Sequence, residues 1–131
     1  MAAKPRLRRA QTAALLLERY WVREFVYREL STGEPSVPLD IRLAGPDIVA
    51  DSDTSAEVSL RISANDGTRV VDLTLVGSFI IPNDSPRFLV LNAPSILFGI
   101  ARGLVSNMTA LTNAGRLDLP SINIAEFVQK H

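Results

Sequence analysis

The sequence predicts an α+β fold, an antiparallel sheet whose strands precede two helices packed on one of its faces. Three observations predict it. Apolar and polar residues alternate over 37–43, over 56–65 and, less strictly, over 69–81, the period-2 mark of strands. The only long stretch with a period near 3.6 follows them, at 92–111, as expected for an amphipathic helix. Asp66-Gly67 joins the last two alternating segments, and such a pair favours a two-residue hairpin turn because both positions adopt positive φ. Strands grouped before helices place the helices on one side of an antiparallel sheet.

Composition bounds the rest. A chain of 131 residues is the size of one domain, and 47% apolar residues suffice for a core. The net charge is zero, which gives no global attraction to nucleic acid. There is no cysteine, so disulfides, thiolate metal sites and a cysteine nucleophile are excluded, and the cytoplasm is the expected location.

In chain order, Lys4, Arg6, Arg8 and Arg9 make the first residues basic, and a mostly apolar run follows from Ala10 to Leu17. Glu18 and Arg19 cut that run short and no small-residue cleavage site follows, against a signal peptide. No apolar run reaches the roughly 20 residues of a membrane span. The basic segment is expected to be a solvated terminus; contact with RNA or lipid head groups is the alternative.

Residues 15–30 are ambiguous. Trp21, Phe25 and Tyr27 alternate on one side of a strand and Tyr20, Val22 and Val26 on the other, while a helix through Leu16, Leu17 and Tyr20 competes. Gly33 and Pro35 mark a turn at 31–36. Val37, Leu39, Ile41 and Leu43 form the apolar side of a half-buried strand. Residues 44–54, with Gly45, Pro46 and three aspartates, read as a loop that nonetheless carries Ile48 and Val49. Val58, Leu60, Ile62 and Ala64 line the next strand. The return strand is apolar on both faces, through Val71, Leu73, Leu75, Phe79 and Ile81 on one and Val70, Val76 and Ile80 on the other. This suggests cover from the chain's own helices and from another subunit. Residues 82–87 read as a loop and 88–91 as an apolar link.

The long helix is expected to start with Asn92 as cap and Pro94 in its first turn. Its stripe is Leu97, Ile100, Ala101, Leu104, Val105, Met108 and Leu111, and Gly115 offers a left-handed stop. A short helix is expected over 122–128. Gly99 and Gly103 allow close approach to the sheet or to a partner helix.

The segment Ala93-Pro94-Ser95-Ile96-Leu97-Phe98-Gly99-Ile100-Ala101-Arg102 resembles the Pro-x-Ile-Leu-Phe-Pro-Tyr-Ala-Arg segment of the SecB protein-export chaperones. Leu117-Asp118-Leu119-Pro120-Ser121-Ile122-Asn123-Ile124 resembles that family's Leu-Asn-Leu-x-Pro-Val-Asn-Phe segment, with the proline displaced by one position, and Gly99 replaces a family proline. Arg23-Glu24-Phe25-Val26-Tyr27 falls where the family has its first strand, which resolves 15–30 as a strand. The resemblance thus implies a four-stranded antiparallel sheet with a crossover loop between the second and third strands, then one long and one short helix. It covers about 17–128, within a single domain at 15–131 preceded by a basic segment at 1–14.

The residues show little catalytic chemistry. The only histidine is His131, the last residue, and a terminal group is poorly held for base catalysis. Asp47, Asp51 and Asp53 lack the glycine and distal glutamate of a calcium loop. No phosphate loop is present, and no cofactor or metal is expected. Surplus apolar surface instead points to self-association or to binding unfolded polypeptide.

The resemblance implies a cytoplasmic chaperone that holds non-native or precursor polypeptides for the motor SecA, assembled as a homotetramer, a dimer of dimers. Its loop and second helix flank the family's peptide groove. Ile48, Val49, Ile124, Phe127 and Val128 are therefore expected to line the groove, with Leu39, Ile41 and Leu43 divided between groove and core. Glu24 is the candidate SecA contact. Gly99, Gly103 and Val76 are the candidate subunit interface. Arg28, where the family tends to have an acid, and the chain's end at His131 without the family's C-terminal segment count against SecA. They favour a relative dedicated to one client, such as an antitoxin. The reading from another class is a small enzyme or ligand-binding module with a sheet–helix pocket.

Overall fold

A computed structural model of the chain describes residues 5–8, 15–30, 39–81 and 86–130. The expected turn at 31–36, Val37, most of the 82–87 loop and His131 lie outside them. Strands β1 (Leu16–Glu29), β2 (Asp40–Ser52), β3 (Ser55–Asn65) and β4 (Arg69–Ile80) form one antiparallel sheet in the order β1-β4-β3-β2. Helices α1 (Pro86–Thr109) and α2 (Ile124–Lys130) come after them in the chain.

The expected alternation decides which face is covered. Ala56, Val58, Leu60, Ile62 and Ala64 of β3 pair with Phe79, Gly77, Leu75, Leu73 and Val71 of β4. Paired residues share a face, and these side chains are buried in one core with α1. From α1 the core receives Leu89, Ala93, Leu97, Ala101 and Val105, a row spaced by four residues that runs along one side of a helix. Its alanines let the helix axis approach the sheet. The closest approach is at Gly77, where a Cβ would lie 2.8 Å from Phe79 Cε2 and 2.9 Å from Leu97 Cδ2.

Several expectations change. No crossover separates β2 from β3: residues 44–52 continue β2, which turns directly into β3 and pairs with it along its length. Gly45 (φ 99°) and the cis-linked Pro46 sit in a register shift between Ala44 and Asp47. β2 is an edge strand, and there a proline without an N–H interrupts nothing on the outer side. The change of edge falls between β1 and β2, which lie at opposite ends of the sheet. In β1, the register shift between Val22 and Glu24 puts Trp21 opposite Val76 but Phe25 and Tyr27 opposite Leu73 and Val71. Trp21 is therefore on the helix-free face, away from Phe25 and Tyr27, because a bulge inverts the alternation.

Helix α1 starts at Pro86, so 88–91 is helical and Pro94 is interior. Pro86 suits a first helical turn; Pro94 removes the donor that Val90 O would receive, and its ring is buried. The helix ends at Thr109, and Leu111 lies beyond it, 90% exposed. Gly115 has the expected positive φ (81°) but closes a later turn. Thr109 ties that turn down: its Oγ1 donates to Val105 O (2.6 Å) and accepts from Leu117 N (2.8 Å). Arg102 donates to Leu119 O (2.9 Å) and Ser106 to Asp118 (2.8 Å), laying 117–119 back along α1. Helix α2 begins two residues later than expected, because Asn123 Oδ1 accepts from Glu126 N (3.1 Å) as its cap.

The β3–β4 connection is one residue longer than the expected two-residue turn, running over 66–68. Asp66 Oδ1 accepts from Thr68 N, Thr68 Oγ1 and Arg69 N, and Oδ2 from Arg69 Nε (3.2 Å). Arg69, buried, also donates to Gly115 O and to Arg116 O (3.2 Å). One guanidinium thus fastens the hairpin to the segment after α1. Burial pushes the Asp66 carboxyl up, and the hydrogen bonds from Thr68 and Arg69 outweigh it, so its pKa lies below the ordinary value.

Candidate functional site

The site is built on the helix-facing side of β2. Ile41, Leu43, Ile48 and Ala50 pair with Ala64, Ile62, Val58 and Ala56, all core residues. Leu39, Ile41 and Leu43 are half-buried and packed against the core. Ile48, farther along the strand, remains 37% exposed. Past the core, β2 and the two helices enclose an open trough of about 220 Å³ lined by Gly45, Pro46, Ile48, Val90 and Val128. Its lining is mostly apolar, the character of surfaces that receive apolar side chains.

The structure brings Ile48 and Val128 together in this trough. It does not bring all of the expected residues there. Val49 pairs with Glu57 on the helix-free face and is 62% exposed; as neighbours in a strand, Ile48 and Val49 must point to opposite sides. Ile124 is buried in the core, because the first residue of a helix this short must dock inward to hold it. Phe127 is half-buried on α2.

The other expected residues lie elsewhere. Glu24 is exposed on the helix-free face, opposite Thr74. On the same face the Arg19 guanidinium lies 5.0 Å from the centre of the Trp21 ring, and Arg61 reaches Asp72 at 3.6 Å. Val76 is fully buried within the single chain, between Trp21 and Ser59 in register, so a partner would meet its neighbours instead. Gly99 and Gly103 are exposed, with nothing within 4 Å of a Cβ on either. They do not serve approach to the sheet; Gly77 does.

Val90, Gly45 and Pro46 were not expected in the site. Placing the helix start at Pro86 would have put Val90 on α1. For Gly45 and Pro46 the sequence carries only a loop signal, and pairing of the flanking residues converts it to strand. Among the described residues no group of three histidine, cysteine or carboxylate side chains is placed to hold a metal. No helix among them is long and apolar enough to cross a membrane.

No family model matches the sequence, and no curated protein matches it. Solved structures do. The Mycobacterium tuberculosis SecB-like chaperone Rv1957, in complex with a ChAD peptide from the Rv1956 HigA1 antitoxin, superposes with a TM-score of 0.62 at 12% identity, over 83% of this chain and 91% of that one. A protein of unknown function from Streptococcus agalactiae superposes with a TM-score of 0.57 at 14% identity, over 82% and 97%. Four antiparallel strands followed by a long and a short helix, in an arrangement shared with that chaperone over most of both chains, are the SecB-like fold.

Proposed function

We propose that the chain is a chaperone that binds non-native polypeptide, with clients seated in the trough between β2 and the two helices, and that it is not an enzyme. The observation that carries this reading is the trough itself, where Ile48 and Val90 keep 37% and 42% of their surface exposed beside Pro46 and Val128. Its fold is shared with a chaperone solved with an antitoxin peptide. Binding would act by mass action, drawing the client's unfolded state away from aggregation.

Of the two forms of this function, dedication to one client, such as an antitoxin, has the better support. The superposed chaperone's peptide comes from an antitoxin. On the helix-free face the proposed SecA contact, Glu24, shares the sheet with Arg19, Arg28 and Arg61, the last paired with Asp72, so this face carries charges of both signs and is no purely acidic surface for a basic partner. Service to SecA remains the second form, and measured SecA affinity separates the two.

The double substitution Ile48→Ser with Val90→Ser tests the site. Each fully buried side chain of this size contributes ~1.5–3 kcal/mol, and each tenfold in affinity corresponds to about 1.4 kcal/mol. Affinity for an unfolded polypeptide is expected to fall at least about tenfold, measured by calorimetry, with little change in melting because both residues are partly exposed already. Unchanged affinity in a folded double variant overturns the proposal.

A further inference from the structure

Val128 lines the trough from α2, a helix of 7 residues, too short to hold its own place. Ile124, at its start, is buried in the core. One buried side chain fixes a point and leaves the helix free to swing about it, and Val128 lies about one turn farther on. The direction of α2 therefore depends on the chain that leads into it.

That chain is laid back along α1. Leu117 N donates to Thr109 Oγ1, Ser106 Oγ donates to Asp118, and Arg102 Nε donates to Leu119 O (2.9 Å). The Arg102 bond is the last of these before α2, and it falls on the Leu119-Pro120 linkage. A peptide linkage is planar, and proline brings no N–H, so Leu119 O is the one hydrogen-bonding handle on that plane. The proline ring also fixes its own φ and keeps the residue before it extended. A guanidinium that holds this oxygen thus orients the whole Leu119-Pro120 unit and aims residues 121–123 toward α2. Arg102 stands on α1, the helix that also supplies Val90 to the trough. Its side chain is exposed, so truncating it opens no cavity in the core.

We propose that Arg102 is a positioning residue of the trough: through Leu119 O it sets the direction of α2 and so holds Val128 beside Ile48 and Val90. The inference rests on the reading of the trough as the client site and adds a residue from outside its lining. Arg102 acts on the shape of the free site and makes no contact with the client.

The experiment uses the full chain. Arg102→Met keeps an aliphatic stem and good helix propensity and removes the donor. Arg102→Gln places an amide N–H at the same distance along the side chain and removes only the charge. In the free protein the Val128 methyl signals are expected to shift in Arg102→Met and to keep their wild-type positions in Arg102→Gln. Reduced, carboxymethylated α-lactalbumin is the client probe. Its affinity is expected to fall several-fold in Arg102→Met, with little change in melting, and to be retained in Arg102→Gln. In a Val128→Ala background, Arg102→Met is expected to cost no further affinity, because two residues that act through one contact are not additive. Unmoved Val128 signals overturn the proposal, as does unchanged affinity in Arg102→Met. A loss shared by Arg102→Gln overturns it in favour of direct contact between the charge and the client. An equal further loss in the Val128→Ala background, or a fall in melting that accounts for the lost affinity, also overturns it. If the Val128 signals move as expected but the probe does not bind the wild type, the reading of the trough as a client site is the one that fails, and the positioning of α2 by Arg102 stands.

Discussion

Among the described glycines Gly77 is the most tightly enclosed, and it lies on a strand, whereas the helical pair Gly99 and Gly103 faces open space. A methyl at Gly77 would press on Phe79 and Leu97, both fully buried and unable to withdraw. Gly77→Ala is expected to destabilise the fold by about 1–3 kcal/mol, as overpacking does, read from urea unfolding; a neutral result would show that Leu17 and Leu97 yield. Asp66 sets a second expectation. Its pKa is depressed in the folded chain, so its stabilisation is present above the unfolded carboxylate value of about 3.9 and is lost as pH falls through the folded value. Asp66→Asn should lower stability at neutral pH and flatten the acid side of the profile. An acid limb as steep as in the wild type would assign it to other carboxylates.

Thr109 joins the end of α1 to the segment 115–119. Its hydroxyl is buried, donates within the helix and receives Leu117 N. Thr109→Val keeps the shape and leaves that buried N–H unpaired, at a cost of about 1–3 kcal/mol. Hydrogen exchange should then rise over 115–119, while protection in β3 and β4 follows only the global loss. Equal loss of protection everywhere would mean that the segment and the sheet unfold as one unit. The same element shows what periodicity can and cannot supply. Leu97, Ala101 and Val105 were legible as the core side of α1 and are buried. Its start was not, because Pro94 reads as a first-turn proline while Pro86 carries the same signal eight positions earlier. Local propensity cannot rank two such prolines; packing of Leu89 and Ala93 on the sheet does.

Self-association remains a proposal for the assembled chain, motivated by the exposed row of Ser95, Gly99 and Gly103 on α1. Gly103→Leu offers a clean separation, since nothing lies within 4 Å of a Cβ there. The single chain should tolerate it, and helix propensity even favours leucine over glycine by a little under 1 kcal/mol. A helix–helix interface requiring close approach should not. The expected outcome is a wild type larger than a monomer by light scattering at micromolar concentration and a folded, dissociated variant. A variant that stays associated would exclude the glycine pair from the interface.

Taken by itself, the sequence determined the order of elements, the alternating core of β3 and β4, the hairpin between them and the core side of α1, because each arises from a backbone repeat that neighbours in the chain reveal. Only the tertiary structure decided that 44–52 is strand, since Gly45 and Pro46 are accommodated by the pairing of Ala44 and Asp47 with Arg61 and Ser59. The same holds for Trp21, turned to the helix-free face by a bulge that depends on β4, and for Val49 and Ile124, which leave the trough once strand direction and helix docking are set. Ile48 and Val128 were legible as surplus apolar residues. That they meet Val90 was not, because residues distant in the chain become neighbours through the sheet that lies between them.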